Sequence, residues 1–427
     1  MCALPLLVVR CTSYSRTAWT PRTTIFVKNI TFMSCTYPID ISNIVSNQAL
    51  FVDNAVFIGT GRSASAIAVS TNSAYSHVKM GGYTFTNAKF IDMKALSHSD
   101  SSMSSAVVTF VDCTFTGMNA KIYVKYVTKL EVVDCNFIGV SSGTNTVINA
   151  TRVTSVDLNN NIFRDITGSA FSSSYITESV TITDCTFANI TASSTDYTVA
   201  VKLDSFTPSA TISGSVFYRN SNGNVSASVG GAIYVADAIV RIFDSFFLNN
   251  VVNASKANGG AIHHSSSKQL IVHRTAFLNN VADSTSWGST GVSYGGAIYS
   301  ASSASGGVHI DETLFGNNAA IGNVSCGGAT VAYGSNIDLQ TSSMLMNSAA
   351  TGSAYCCVKN GNALLIETYL GPLQTGACDD QKITGDVHSS PYQGQGLSSD
   401  RETLQAWMQV VGLDADLKER FLQFMDS

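Results

Sequence analysis

The sequence predicts an all-β protein: a right-handed parallel β-helix of about 12 coils that ends in a short helical tail. Three observations support this fold class. Short β-branched segments recur, and each ends in a phenylalanine. The distance from one such phenylalanine to the next is 22 to 38 residues, which is the length of one solenoid coil. No helical segment separates the strands, whereas each unit of a leucine-rich repeat contains a helix or a helical turn.

The recurring segments share the form apolar-x-apolar-x-(Asp/Asn)-small-x-Phe. In residues 240–247, alternation places Val240, Ile242, Ser245 and Phe247 on one face, as a strand with one buried face requires. Such strands cannot bury their apolar face alone, so we expect the coils to stack in register about 4.8 Å apart. The anchoring positions are Phe32, Phe57, Phe90, Phe115, Phe137, Phe163, Phe187, Phe217, Phe247, Phe277 and Phe315, and we assign Leu345 to the last one.

Two further motifs alternate in the second half of the chain. Gly-Gly-Ala-Ile occurs at residues 230–233, 259–262 and 295–298, with a degenerate copy at 327–330. Paired glycines suit a turn at which backbones of adjacent coils approach closely. Phe-x-x-Asn places Asn220, Asn250, Asn280 and Asn318 at one position in successive coils. These amides predict a ladder in which each side chain bonds the next coil.

This alternation of Gly-Gly-Ala-Ile with Phe-x-x-Asn resembles the repeat of the polymorphic membrane protein family, known as chlamydial surface adhesins. The resemblance is specific over residues 220–318 and becomes a general pectin-lyase-like pattern in the first 215 residues. It implies a surface-exposed protein that mediates attachment. One feature departs from the family: chlamydial members end in a membrane β-barrel, and this chain ends in a predicted helix.

We divide the chain into four parts: residues 1–22, 23–370, 371–398 and 399–427. The first is an N-terminal segment, either a degenerate signal or a truncated start, and the second is the β-helix. The third is a linker. In the fourth, Ser399 and Glu402 form a capping box, and Leu404, Trp407 and Met408 share one helical face. This tail either covers the last coil or begins a further module.

Composition excludes several classes of partner. The chain has 24 Lys and Arg against 29 Asp and Glu, and no basic run that could follow a phosphate backbone, so we expect no nucleic acid. No apolar stretch reaches the 18 residues of a membrane span. Six Asn-x-Ser/Thr sequons are compatible with secretion. We expect an extracellular or cell-surface location.

The cysteines fall into two predicted groups. Cys113, Cys135 and Cys185 each precede an anchor by two residues, which predicts buried free thiols on its inward face. Cys326, Cys356, Cys357 and Cys378 lie close together near the end of the repeats and could form disulfide bonds in a secreted protein.

The histidines invite a metal hypothesis, because His263, His264 and His273 are close in sequence and Asp311 occupies the position equivalent to His273 in the next coil. Their spacing from the anchors places His273 and Asp311 outward at a turn and His263 on another strand. We therefore expect solvated surface residues and no metal or cofactor.

The expected function is non-enzymatic: an adhesin-like binding scaffold for a cell-surface protein or glycan. The alternative is a polysaccharide lyase or hydrolase of the pectin-lyase-like fold, whose chemistry needs clustered carboxylates or a calcium site. Asp112, Asp134 and Asp184 recur once per coil, which indicates a structural turn and no unique catalytic residue.

The candidate binding residues are Tyr234, His263 and Tyr299. Alignment of the Gly-Gly-Ala-Ile copies places them at one position in successive coils, one residue after a buried Ile. Alternation predicts that all three point outward as an exposed ladder of rings, a surface suited to sugars or a protein partner. Alternatively, the rings only shield strand backbone.

Overall fold

A computed structural model shows that the chain is an all-β, right-handed-type parallel β-solenoid with about 4% helix, as predicted. It has about nine turns, slightly fewer than the dozen obtained by counting one coil for each anchor. The structure describes residues 7–10, 25–34, 39–42, 49–59, 65–70, 82–91, 94–98, 106–192, 200–204, 207–225, 228–266, 268–301, 307–359, 362–366, 368–370, 374–378, 380–384, 405, 408–409 and 419.

The chain divides into two compact units. The first comprises Met1–Thr186 and Phe206–Pro208, and the second comprises Phe187–Ser205 and Ser209–Ser427. Within each unit, the strands pair in parallel with their equivalents one coil away, and the side chains of each anchor strand alternate between the core and the opposite face.

The first unit repeats three kinds of strand, which we call leading, anchor and trailing in the order in which they follow one another along each coil. The anchor strand contains the anchoring position of the repeat. The leading strands are Ile25–Lys28, Ala49–Asp53, Gly82–Thr86, Val107–Val111, Lys129–Val133, Ser155–Asn159 and Ser179–Thr183. The anchor strands are Leu7–Arg10, Ile30–Met33, Val56–Ile58, Lys89–Ile91, Thr114–Met118, Asn136–Thr151 and Ile162–Arg164. The trailing strands are Ile39–Ser42, Ser65–Ser70, Lys94–His98, Ile122–Lys125 and Thr167–Ser174, with the second half of Asn136–Thr151 in the same column.

In the second unit, several coils contain one or two additional strands. Its leading strands are Ala238–Phe243, Leu270–His273, Val308–Asp311, Ile337–Gln340, Asn362–Ile366 and Asp380–Thr384. Its anchor strands are Val216–Tyr218, Phe246–Leu248, Ala276–Leu278, Leu314–Gly316, Ser343–Leu345 and Tyr369–Leu370, and the strands Thr186–Ala188 and Thr207–Ser213 join the two units in sequence. The strands after the asparagine are Thr191–Ala192, Ser221–Val225, Val251–Ala254, Val281–Asp283 and Ala319–Ile321. A separate four-stranded sheet consists of Ser228–Val229, Lys256–Asn258, Val292–Tyr294 and Val324–Cys326. The trailing strands are Val201–Asp204, Ile233–Ala236, Ile262–Ser265, Ile298–Ala301, Thr330–Tyr333, Tyr355–Val358 and Gly376–Ala377, and a 3₁₀ helix spans Thr285–Thr290.

A left-handed residue turns the chain from each leading strand into the anchor strand. The φ angles at this corner are 48–54° at Asp112, Asp134, Asn160, Asp184 and Asp244. Asp and Asn tolerate this conformation better than most residues, which explains their recurrence and confirms the predicted turn. The next residue closes the corner. Ser245 Oγ donates to Phe243 O at 2.7 Å, and Cys113 Sγ makes the same contact with Val111 O at 3.3 Å.

The anchor rings stack in the core of each unit. In the second unit, the centroids of successive rings from Phe187 to Phe315 are 4.6–5.0 Å apart, and Phe277 is fully buried as predicted. The last anchor was assigned one residue too late. Phe315 pairs with Met344, which is fully buried, whereas Leu345 pairs with Gly316 on the opposite face. The flexible Met344 side chain occupies the core position that a phenylalanine ring occupies in the other coils, whereas Leu345 was predicted there.

The predicted asparagine ladder is present and buried. Each amide donates to the Oδ1 atom of the next asparagine at 2.9 Å and to the carbonyl oxygen of a phenylalanine in the preceding coil. The ladder continues through Asn347, which the sequence analysis did not include, and its final acceptor is Gln374 Oε1 at 3.2 Å. The ladder therefore satisfies amides that would otherwise be buried without partners.

The paired glycines are explained by two different requirements. Gly259 has a φ angle of 69°, in the left-handed region that favours glycine. At Gly260 there is no space for a side chain, because a Cβ atom would lie 2.1 Å from Gly296 O and 2.5 Å from Val281 N. The other copies repeat this pattern, which confirms the predicted close approach of backbones.

The predicted helical tail is described at only a few positions. Gln405, Met408, Gln409 and Glu419 are helical, and the other residues of 399–427 lie outside the described residues, so the cap itself stays a prediction. Met408 is buried on the flank of the second unit. It packs on an outer apolar strip formed by Val216, Tyr218, Phe246, Leu248, Ala276, Leu278 and Leu314.

The structure describes the predicted N-terminal segment and the predicted linker only in part. In the N-terminal segment, Leu7–Arg10 forms a strand that pairs with Ile30–Met33. In the predicted linker, Gly376–Ala377 and Asp380–Thr384 extend the strand columns of the second unit, and residues 385–398 lie outside the described residues. Among the residues that the structure describes, no helix has the length and apolar character needed to span a membrane.

Candidate binding surface

Tyr234, His263 and Tyr299 occupy one column in three successive coils, in the predicted register. Tyr234 pairs with His263, and His263 pairs with Tyr299. Their ring centroids are 5.5 Å and 4.9 Å apart. The neighbouring Ile233, which pairs with Ile262, points to the core, so the rings lie on the opposite face of the trailing strands.

The prediction that all three rings are exposed is wrong. Tyr234 is half-buried, whereas His263 is 5% and Tyr299 is 7% exposed. The cause is the four-stranded sheet, which the sequence analysis did not foresee. The tight Gly-Gly turn folds this sheet back over the trailing strands, so that Asn258 lies beside His263 and Tyr294 stacks on Tyr299 at 6.0 Å.

The rings therefore form a compact aromatic patch, defined here as Tyr234, His263, Tyr294, Tyr299 and Tyr333. The Tyr333 centroid is 6.4 Å from that of Tyr294 and 6.2 Å from that of Tyr299. Tyr234, Tyr294 and Tyr333 are each half-buried, so these three residues remain partly accessible to solvent. The Nζ atom of Lys359 lies 4.8 Å from the Tyr333 centroid, which adds a cation–π contact.

A disulfide bond fastens the covering sheet beside the patch. Cys326 of the four-stranded sheet is bonded to Cys356 of a trailing strand, with their Cα atoms 5.8 Å apart. Cys357 is bonded to Cys378, with Cα atoms 4.6 Å apart. These pairs confirm that the four late cysteines can form bridges. Cys113, Cys135 and Cys185 are buried free thiols, as predicted.

Burial keeps the patch uncharged near neutral pH. It lowers the pKa of His263 to about 3, and the neighbouring His264 lowers that pKa further. Burial also raises the pKa of the Tyr299 phenol well above its usual range, and that of Tyr294 in the same direction. The patch is thus a neutral surface of rings and hydroxyl groups, with Lys359 at its edge.

The expectation that the other histidines are solvated surface residues is wrong for His264. It is fully buried and faces inward, at the position that Val235 occupies in the preceding coil. Its Nδ1 atom lies 3.1 Å from Ser300 Oγ, and burial lowers its pKa to about 4. Strand alternation places residue 264 on the core face. A surface position was expected because histidine is polar and polar side chains are mostly exposed.

His273 and Asp311 do lie at equivalent outward positions. They pair across adjacent leading strands, and His273 Nδ1 is 3.2 Å from Asp311 Oδ2, with both side chains partly exposed. Within the described ranges, no three His, Cys, Asp or Glu side chains come together as a metal ion would require.

A second ring-bearing surface lies in the first unit, and the sequence analysis missed it. Arg152 lies between Tyr126 and Tyr175, with its Cζ atom 5.3 Å and 5.7 Å from the two ring centroids. We call these three residues the Tyr–Arg column. A detectable signal was present: each residue directly follows a trailing strand, and the spacings of 26 and 23 residues match the coil length.

No protein-family model matches the sequence, and neither the curated proteins nor the solved structures contain a significant match to it.

Proposed function

We propose that this protein is a non-enzymatic, extracellular or cell-surface repeat protein that acts as an adhesin-like binding scaffold. Its partner would be a cell-surface protein or glycan. The proposed relation to the polymorphic membrane proteins depends on the alternation of Gly-Gly-Ala-Ile with Phe-x-x-Asn. The packing explains both motifs as parts of the coil, so they support a shared repeat architecture and carry no information about a ligand.

The aromatic patch is the observation that carries the proposed function. It places five rings within contact distance, of which Tyr234, Tyr294 and Tyr333 are partly accessible to solvent. Tyrosine offers a large, stiff apolar face with one hydroxyl group, which suits it to recognise sugars and protein surfaces. The scaffold also favours affinity, because side chains held by packed strands lose little conformational entropy on binding.

The disulfide bonds support the proposed location. Cys326–Cys356 and Cys357–Cys378 occur within one region of the second unit. Disulfide bonds form and persist in oxidising environments and are rare in the cytosol. They are therefore consistent with a secreted or surface-bound protein.

The test replaces the three half-buried tyrosines together, as Tyr234→Ser, Tyr294→Ser and Tyr333→Ser, in the full chain. His263 and Tyr299 stay unchanged, because truncation of buried rings would destabilise the fold. Attachment of the purified protein to cultured cells and to a glycan array is measured. We expect attachment to fall while the circular dichroism spectrum is retained.

A matched control replaces Phe26 and Phe51 by Ser. These rings also stack, at 5.3 Å, and are 74% and 38% exposed, but they lie on a leading-strand face of the first unit. Unchanged attachment in the folded tyrosine variant, or an equal loss in the control, contradicts the assignment of the patch. Release of reducing ends or unsaturated products from polysaccharides by the wild-type chain contradicts the non-enzymatic reading.

A further inference from the structure

The Tyr–Arg column presents a cation held between two aromatic rings on the surface of the first unit. Lys125, Thr151 and Ser174 pair in successive coils, so the residues that follow them stack along the solenoid axis. Three coils at about 4.8 Å spacing make a strip roughly 10 Å long. Arg152 is exposed, and Tyr175 is 45% exposed.

The Arg152 guanidinium has no carboxylate partner among the described residues. Its contacts are the two rings and one hydrogen bond, in which Nη1 donates to the Tyr126 hydroxyl group at 2.8 Å. A guanidinium has five N–H donors, and among the described residues only the one to the Tyr126 hydroxyl group makes a side-chain hydrogen bond. By comparison, the half-buried Arg274 of the second unit donates two hydrogen bonds to Asp244 at 2.8 Å. Arg152 is thus fixed in place and still able to bind an anion.

Neighbouring charge strengthens the positive character of the column. The Nζ atom of Lys125 lies 4.6 Å from the Tyr126 centroid, so this ring is in contact with Lys125 as well as with Arg152. The hydrogen bond from Lys125 is the main cause of a lowered pKa of the Tyr126 phenol, and the charge of Arg152 acts in the same direction. The local field therefore favours negative charge.

We propose that the Tyr–Arg column is a binding site for an anionic polysaccharide, whose sugar rings stack on Tyr126 and Tyr175 while Arg152 binds a sulfate or carboxylate group. Aromatic faces pack on the apolar faces of sugars, and the guanidinium fork matches the geometry of both anions. This site is separate from the aromatic patch and does not depend on it. A nucleic acid is disfavoured, because the chain has no basic run that could follow a phosphate backbone.

The experiment measures binding of the full chain to immobilised dextran sulfate, polygalacturonate and neutral dextran at fixed ionic strength. We expect binding to at least one anionic polymer and none to dextran, and the two anionic arms distinguish sulfate from carboxylate. Arg152→Gln should weaken binding at least about tenfold, because it removes the charged hydrogen-bond donor to the anion. Tyr126→Leu and Tyr175→Leu should each weaken binding less than Arg152→Gln does. Arg152→Lys keeps the positive charge and should retain part of the wild-type binding.

Arg219→Gln is the matched control. Arg219 also has a left-handed backbone, with φ 51° against 53° at Arg152, and also stacks on a tyrosine, at 4.6 Å. That tyrosine, Tyr218, is only 8% exposed, so it offers no open ring to a sugar. Binding should be unchanged in this variant. The proposal is overturned if neither anionic polymer binds, if dextran binds equally, if Arg219→Gln weakens binding as much as Arg152→Gln, or if single-stranded DNA binds through Arg152 more tightly than both polysaccharides.

Discussion

Asn250 and Asn280 lie one coil apart, and both donors of Asn250 bond one oxygen of Asn280. The Asn250 side-chain amide donates to Asn280 Oδ1 at 2.9 Å, and the Asn250 backbone N–H donates to the same atom at 3.1 Å. Both residues are fully buried. The side-chain oxygen of each ladder asparagine from Asn250 to Asn347 therefore accepts two hydrogen bonds from the turn of the preceding coil. Loss of one asparagine leaves the donors of that preceding turn without an acceptor.

Asn280→Ala should strongly destabilise the second unit, because it leaves two buried donors of Asn250 without an acceptor. Each such group costs about 1–3 kcal/mol, so we expect a loss of about 2–6 kcal/mol in the free energy of unfolding. Urea denaturation followed by circular dichroism measures it. The control Asn323→Ala removes an exposed asparagine and should change the free energy by less than about 0.5 kcal/mol. A loss as small as the control's would show that the ladder does not stabilise the fold.

Gly260→Ala should disrupt the contact between adjacent coils. The added Cβ atom meets backbone at 2.1 Å and 2.5 Å, and backbone cannot move aside as a flexible side chain can. Overpacking costs about 1–3 kcal/mol or more, and we expect the upper part of that range. Gly223→Ala is the control, because a Cβ atom there has nothing within 4 Å. Thermal melts of both variants are compared, and equal melting temperatures would contradict the close approach.

Met408→Asp should release the tail from the outer apolar strip. Met408 is 1% exposed, so the aspartate would place a charge in an apolar environment. Hydrogen–deuterium exchange is expected to increase in the anchor strands Val216–Tyr218 and Phe246–Leu248, whose outward side chains Met408 covers. Gln409→Asp changes an exposed neighbour on the same helix and should leave exchange unaltered. Equal exchange in the two variants would show that the tail does not protect the strip.

Acid should destabilise the second unit through its buried histidines. The pKa of His264 is lowered to about 4 in the folded chain, against about 6.5 when unfolded, so the unfolded state takes up the proton first. The stabilisation is complete above pH 6.5 and is lost as the pH falls towards 4, by roughly 3 kcal/mol for His264. His263 acts in the same direction.

His264→Val tests this pH dependence, because the preceding coil carries Val235 at the same position. We expect a shallower decline of stability between pH 6.5 and 4, measured by urea denaturation at several pH values. A decline that is identical in wild type and His264→Val would exclude His264 as its source.

The sequence by itself determined the fold class, the register as far as Phe315 and the polar ladder as far as Asn318. These follow from local rules that every coil repeats. Alternation decides which side chains face the core, a left-handed corner favours Asp or Asn, and a stacked amide can bond only its own copies. The repeat therefore predicts that Phe277 is buried and that Tyr234 aligns with His263, and the structure confirms both.

Only the tertiary structure decided what covers each outward face. Tyr299 points away from the core, yet Tyr294 and the four-stranded sheet cover it, and Met408 covers the strip around Leu248. Neither contact follows from strand alternation, because each depends on where a loop or a tail returns in space.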